Sequence, residues 1–310
     1  MRLDIVAQSD VGRRKKTNED SYGIFLEDAD SLQLFREGGL LIVADGLGGH
    51  GGGDIASKLA VSNMKDVVKE PAPPPSEDGE SDQSLLELLR KYMTVANDSV
   101  FQTNKDLVST GKPMGTTLIA ALVSPKKLYM CNVGDSRAYH IRDGEIVAIT
   151  EDHSWVDEQV KLGLMSKAEA EMDSRKNIVT RSIGTHPEVP VDTYLWHIVP
   201  GDWILLCTDG LVNMVKDADI RNEFVTGGTA AEIAARLVNM ANENGGKDNV
   251  TVIAANISPN PFRLLFMRTR SMVRHYGLRL LWLLLTLAVG IAGFFGGHWV
   301  RDMGIELPGF

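Results

Sequence analysis

Apolar positions along this chain alternate between two rhythms. Short apolar runs bounded by turn residues read as strands, and apolar spacings of three and four read as amphipathic helix. Residues 2–8 predict a first strand, followed by a polar, basic turn from Ser9 to Asp20 and a second strand over 22–26. The run Leu40-Leu41-Ile42-Val43-Ala44 predicts a buried strand that ends at Asp45-Gly46 and a glycine cluster. Helical spacing then covers 53–70, through Ile55, Leu59, Met64 and Val67. The proline-rich, acidic stretch 71–82 has almost nothing to bury and reads as a surface loop. A second helix is predicted over 83–108, with Leu85, Leu89, Tyr92, Ala96 and Val100 on one face. Strands follow at 116–123, 127–133, 137–142 and 145–150, with Ser124-Pro125 and Asp143-Gly144 as hairpin turns. Residues 151–185 are polar and mixed, with one or two short helices. A buried strand at 202–208, a helix at 229–244 and a strand at 249–257 complete the pattern.

Beyond Pro259 and Pro261 the composition changes. Residues 259–279 read as a basic juxtamembrane linker, rich in arginines and aliphatics over 262–279, and Leu280 to Gly297 run without a charge, flanked by Trp282 and Trp299. A bilayer core needs about 20 apolar residues, so 280–300 is expected to be a transmembrane helix with a short tail at 301–310. Arg263, Arg268, Arg270, Arg274 and Arg279 all precede it, which places residues 1–258 on the cytoplasmic side of a single-pass inner membrane protein. Gly293 and Gly297, with the stripe Ala288, Ala292 and Gly296, offer a small-residue face for a weak homodimer. No long apolar region follows Met1, so no signal peptide is expected.

The hydrophobic share of 44% suits a globular domain with a full core. The net charge of −9 argues against a nucleic-acid binder, which needs a basic face. Cys131 and Cys207 both lie in apolar runs and read as buried thiols of a reducing compartment.

The candidate chemistry lies in aspartates at strand ends. Asp45 closes one buried run, Asp209 closes another, Asp248 precedes the last strand and Asp20 precedes the second. Four such carboxylates suggest strand ends converging on an oxygen-rich cluster, which like-charge repulsion would disfavour unless cations bind among them. All-oxygen ligation selects Mg²⁺ or Mn²⁺, and no His or Cys spacing favours zinc. Two such ions about 3.5–4 Å apart can share a water and make it a hydroxide nucleophile for attack on a phosphate ester. Arg13, Arg14, Lys15 and Lys16 are the nearest cations in sequence to hold the phosphate.

Six motifs, in order, now resemble those of the metal-dependent type 2C Ser/Thr protein phosphatases, in their compact bacterial form. They are Ser9-Asp-Val-Gly12 with Asn18-Glu-Asp20, Val43-Ala-Asp-Gly-Leu-Gly-Gly-His50, Met114-Gly-Thr-Thr117, Val133-Gly-Asp-Ser-Arg-Ala138, Thr208-Asp-Gly210 and Gly246-Lys-Asp-Asn-Val-Thr251. The resemblance spans about residues 4–257 and implies an α+β fold, a four-layer α/β/β/α sandwich of two antiparallel sheets with a binuclear Mn/Mg centre at one end. It implies Asp45, Asp209, Asp248 and the Gly46 carbonyl as direct metal ligands, and Glu19 and Asp20 as ligands directly or through water. Asp135, with Asp209, is implied to hold a weaker third ion, and residues 151–185 to form a substrate-contacting flap. The implied activity is hydrolysis of phosphoserine and phosphothreonine in proteins by a metal-bridged hydroxide, in opposition to a Ser/Thr kinase in bacterial signalling.

Two positions depart from the family pattern. Where the family has its phosphate-binding arginine this chain has Lys15, a point charge without a bidentate fork; Arg13 or Arg14 is the alternative. Leu47 stands where some eukaryotic relatives carry a histidine proton donor, and His50 lies three residues on. A competing reading is Cys131-x₅-Arg137, the spacing of cysteine-dependent phosphatases. That mechanism needs the loop to open a helix, and a strand pattern follows instead. A catalytically weak or inactive membrane-tethered regulatory module is the alternative function. The complete set of carboxylates argues against it.

Overall fold

The computed structural model describes residues 2–26, 38–48, 52–70, 80–107 and 113–258, and Met1–Ser258 forms one compact unit. The strands in chain order are β1 (Arg2–Asp10), β2 (Ser21–Leu26), β3 (Gly39–Ala44), β4 (Gly46–Leu47), β5 (Gly115–Thr116) and β6 (Leu118–Val123). They continue with β7 (Lys127–Val133), β8 (Arg137–Arg142), β9 (Glu145–Ile149), β10 (Asp192–His197), β11 (Trp203–Cys207) and β12 (Val250–Ser258). The helices are α1 (Gly52–Lys65), α2 (Glu80–Leu107), α3 (Trp155–Lys161), α4 (Lys167–Met172), α5 (Asp209–Val212), α6 (Asp217–Thr226) and α7 (Ala230–Glu243).

Two five-stranded antiparallel sheets form, ordered β1-β12-β11-β8-β9 and β10-β7-β6-β3-β2, and β4 pairs with β5 beside them. Side chains alternate across each strand, and here both faces are apolar. In β3, Leu40, Ile42 and Ala44 pack toward α1 and α2, while Leu41 and Val43 pack against the other sheet. In β12, Val252 and Ala254 join the core under α7, and Ile253, Ala255 and Ile257 join the inter-sheet core. Three apolar layers therefore separate helices, sheet, sheet and helices, the expected four-layer sandwich.

The structure corrects several boundaries. Strand β10 has no counterpart in the sequence prediction because its residues are only half-buried and do not alternate cleanly. Asp209 does not end a strand; it opens the single turn of α5 directly after β11. α6 was likewise absent from the expectation, β1 runs on to Asp10, and α2 begins at Glu80 inside the predicted loop. The first helix ends at Lys65 and tightens into a 3₁₀ turn over Asp66–Lys69. The predicted segment 280–300 lies outside the described residues. Among those described, no helix is long and apolar enough to cross a membrane.

Candidate metal centre

Strand register brings the site together. Asp10 pairs with Val250, Cys207 with both Val252 and Arg137, Ser21 with Ala44, and Leu118 with Val133. One end of each sheet thus carries the loops that hold Glu19, Asp20, Asp45, Asp135, Asp209 and Asp248. Glycines let these loops touch. A Cβ on Gly210 would lie 1.8 Å from the Asn249 carbonyl oxygen, and one on Gly46 would lie 2.3 Å from that of Gly53.

The backbone beneath the carboxylates is clamped by small polar side chains. Thr117 Oγ1 accepts from the Asp45 amide at 2.9 Å, and the Thr117 amide and Thr116 Oγ1 each donate to the Asp45 carbonyl at 2.8 Å. Thr117 Oγ1 also shares a 2.7 Å hydrogen bond with Ser136, beside Asp135. Asn249 accepts from the Glu19 amide at 2.8 Å and donates to the Val11 and Thr17 carbonyls at 2.9 Å each. That one side chain fixes the loop carrying Lys15, Glu19 and Asp20. Ser57 Oγ donates to the Glu19 carbonyl at 2.6 Å.

The carboxylates themselves are under strain as charges. Thr251 Oγ1 and Thr208 Oγ1 donate to Asp20 Oδ2 at 2.7 and 3.0 Å. Oδ1 of Asp20 and Oδ1 of Asp209 are buried and accept no hydrogen bond. Burial pushes Asp20 up to about 7, with Asp209 and Asp248 adding repulsion against the two threonine hydrogen bonds. Burial and Asp248 push Asp209 up to about 6, although a hydrogen-bonding contact with the Asp45 carboxyl opposes this. Asp45 and Asp135 are raised well above the carboxylate range, each by burial first and then by neighbouring aspartates. Glu19 is raised by burial, against the pull of Lys15. Orphaned, mutually repelling oxygens of this kind fit hard divalent cations. Among the described residues, no three acidic, His or Cys side chains already close on one point as an ion-binding group. They line the site, and Lys15 Nζ sits 2.5 Å from Asp248 Oδ1.

Lys15 is therefore engaged with a carboxylate. Burial opposes its charge, and the contacts with Asp248, Asp45 and Glu19 outweigh that and raise its pKa. Arg13 and Arg14 are exposed, and the Arg13 amide donates to the Gly246 carbonyl at 2.7 Å. His50 lies outside the described residues.

The protein phosphatase 2C family profile matches residues 16–252. The chain belongs to that family. It is a metal-dependent protein serine/threonine phosphatase by descent: the serine/threonine phosphatase stp of Listeria monocytogenes (serovar 1/2a) is 37% identical over 252 residues, covering 79% of this chain and 92% of that one. Protein phosphatase PhpP of Streptococcus pneumoniae is 32% identical over 265 residues, covering 83% of this chain and 98% of the relative. Among solved structures, the Mycobacterium tuberculosis serine/threonine phosphatase PstP/Ppp superimposes with a TM-score of 0.71 at 31% identity, covering 83% of this chain and 99% of that one. The catalytic domain of PstP in complex with two manganese ions superimposes with a TM-score of 0.67 at 31% identity, over 83% of this chain and 99% of that one.

The segment between β9 and β10 contains residues 151–185 and is rooted at His153, a residue the sequence reading passed over. The His153 amide donates to the Gly134 carbonyl, and its Nδ1 accepts from the Gly134 amide, both at 3.0 Å. Nε2 lies 3.2 Å from Asp192 Oδ2 and 3.3 Å from Arg181 Nη1. An accepting Nδ1 assigns the ring proton to Nε2. One buried imidazole thus ties this segment to the turn before Asp135. Farther along it Leu162, Leu164 and Met172 are exposed, and Arg175 stacks 3.7 Å over the Trp155 ring.

The cysteine reading fails on geometry. Cys131 is fully buried in the core beneath α2, with its thiol aimed at the Leu89 carbonyl at 4.0 Å, and burial pushes it well above the usual thiol range. Arg137 is held bidentately by Asp152, with Nε and Nη2 at 2.8 and 2.7 Å. Neither group can reach a phosphate through the other.

Proposed function

We propose that Asp45, Asp209, Asp248 and the Gly46 carbonyl hold a pair of Mn²⁺ or Mg²⁺ ions directly. Glu19 and Asp20 serve them directly or through water, and Asp135 with Asp209 takes a weaker third. The observation that carries this is the pair of buried, unbonded Oδ1 atoms on Asp20 and Asp209. The manganese-bound relative of the same fold supports it. When bound, the ions neutralise the cluster and acidify a water for attack on a phosphate ester.

The chain's own residues supply the rest. Thr208 and Thr251 orient Asp20 by occupying its Oδ2 alone. Thr116, Thr117 and Ser136 hold the Asp45 backbone and the turn to Asp135. Lys15 is the first cation a bound phosphate meets. It reaches the phosphate by exchanging Asp248 for a phosphoryl oxygen, and Arg14 and Arg13 flank it. Leu47 offers no proton to the departing hydroxyl.

The wider reading is a phosphatase that acts on cytosolic phosphoproteins against a cognate Ser/Thr kinase. Residues 280–300 anchor it in the inner membrane, with the catalytic unit in the cytoplasm and weak pairing through the small-residue stripe. Support for the anchor is the uncharged run and the five preceding arginines.

The decisive assay is hydrolysis of an aryl phosphate and a phosphothreonine peptide by the full chain with Mn²⁺, with chelator, and as Asp209→Asn. Activity is expected only with Mn²⁺ or Mg²⁺, and calorimetry should show weakened Mn²⁺ binding in the variant. Hydrolysis surviving both chelator and Asp209→Asn refutes the metal mechanism. A reporter fused after Phe310 should lie outside the cytosol, and a cytosolic signal refutes the anchor's orientation.

A further inference from the structure

The described surface distributes its arginines unevenly. Arg90, Arg137, Arg142, Arg175, Arg181, Arg221 and Arg236 each form an ion pair with a carboxylate. Arg13 and Arg14 are exposed and, among the described residues, form none. Acids are not scarce. Removing the six arginines and two acids of residues 261–310 from totals of 32 and 41 leaves 26 basic against 39 acidic residues. In a body of charge −13, two adjacent arginines without a carboxylate partner among the described residues stand apart from the seven paired ones.

Their position gives the arrangement meaning. The Arg13 amide bonds the Gly246 carbonyl, and Asn249 bonds the Val11 and Thr17 carbonyls, so the loops 11–20 and 245–249 interlock. Lys247 lies between Gly246 and Asp248, and Lys16 follows Lys15; both are exposed and without an ion pair among the described residues. Arg13, Arg14, Lys16 and Lys247 therefore form a cationic rim directly beside Lys15 and Asp248. Inside the rim stand the carboxylates of the metal centre. A phosphorylated side chain carries nearly two negative charges, and acidic residues next to it would be repelled by an unscreened acidic body.

We infer that this rim reads the flanks of the substrate and selects phosphoserine and phosphothreonine set among acidic residues. The inference rests on the phosphatase reading above and goes beyond it by naming the substrate's charge. An anionic lipid surface would also meet a basic rim. It is disfavoured because the chain leaves the domain at Ser258, the end of β12 opposite Val250, and nine strand residues span about 30 Å. The rim thus lies at the far end of the domain from the exit toward 259–310.

The test uses the full chain and three phosphothreonine peptides that differ only in two flanking positions on each side, filled by Glu, Gln or Lys. kcat/KM is expected to fall in that order, with Glu over Lys by about tenfold at low salt, from a few exposed charge contacts. The ratio should narrow several-fold at 0.5 M NaCl, where screening shortens the reach of charge to a few ångströms. Lys247→Glu should cut the Glu-over-Lys ratio several-fold while aryl phosphate hydrolysis stays unchanged. Equal kcat/KM across the three peptides, or a ratio untouched by Lys247→Glu, overturns the inference. The same holds if Lys247→Glu loses preference for phosphatidylserine over phosphatidylcholine vesicles while the peptide ratio stays as in the wild type; the rim then serves lipid. Absent aryl phosphate hydrolysis with Mn²⁺ would sink the phosphatase reading itself, and this inference with it.

Discussion

Asn249 is the most exacting test of how the site is held. It is nearly fully buried and makes three side-chain hydrogen bonds, to the Glu19 amide and the Val11 and Thr17 carbonyls. All three partners belong to one loop, which has no regular secondary structure of its own between β1 and β2. Asn249→Ala removes the three bonds together and leaves buried or half-buried backbone groups without partners. At about 1 kcal/mol net per bond, with more where a group stays dry, the loss is about 3 kcal/mol. For a domain of this size that lowers the thermal midpoint by about 6–12 °C. Differential scanning calorimetry of the full chain, with its metal chelated in both proteins, measures the change directly. Asn249→Asp keeps the acceptor for the Glu19 amide but turns an acceptor toward two carbonyls, so it should not restore stability. A midpoint within about 2 °C of the wild type for Asn249→Ala would refute the claim that this side chain holds the loop. An Asn249→Asp variant as stable as the wild type would refute the bond directions.

Three further outcomes follow from the same geometry. The buried His153 is faced by Asp192, Arg181, Lys161 and the Gly134 amide, and burial first, then Arg181, lowers its pKa despite Asp192. The folded protein keeps it neutral, so its contribution is intact above about 6.5, the unfolded value, and is lost as pH falls toward the depressed folded value; urea midpoints between pH 7.5 and 5.5 should fall less steeply in His153→Gln, and an identical slope would contradict the assignment. Gly210→Ala places a methyl 1.8 Å from the Asn249 carbonyl oxygen, so β12 and α5 must separate; a loss of at least about 3 kcal/mol of stability is expected by denaturant titration, and wild-type stability would show that the contact relaxes freely. Cys131→Ser should keep its Mn²⁺-dependent hydrolysis and lose up to about 2 kcal/mol of stability from hydroxyl burial near the Leu89 carbonyl; a folded but inactive variant would restore the cysteine to the chemistry.

The parts of this protein that were legible in its sequence are the parts set by local pattern. Leu40 to Ala44 and Val250 to Ile257 are apolar on both faces, and that alone predicts strands sandwiched between two cores. The aspartates Asp45, Asp209 and Asp248 could be picked out because each adjoins such a run. The residues that orient them were not legible. Thr251 and Asp20 are 231 positions apart, and so are Lys15 and Asp248 to within a few, so no periodicity links them. β10 was missed because an edge strand with half-buried residues has no strong alternation to show. Asp209 was placed at a strand end because the four-residue α5 is too short for a helical period. His153 lies in a polar stretch, and only the turn it clasps reveals its role.

The pairing of β1 with β12 joins the earliest described strand to the last, Arg2 opposite Ser258 and Asp10 opposite Val250. Among the described strands, β1 has no neighbour in its sheet until β12 has been synthesised, since β12 alone connects it to β11. Asn249, Thr251 and Asp248 arrive with that same strand. Closing a connection of about 240 residues is a late, slow event compared with the hairpins β6–β7 and β8–β9. A nascent chain can therefore build most of its sandwich while remaining chemically silent, and a truncation even slightly short of β12 should leave a collapsed but inert product. Competence is gained in one final step of assembly rather than accumulated along the way.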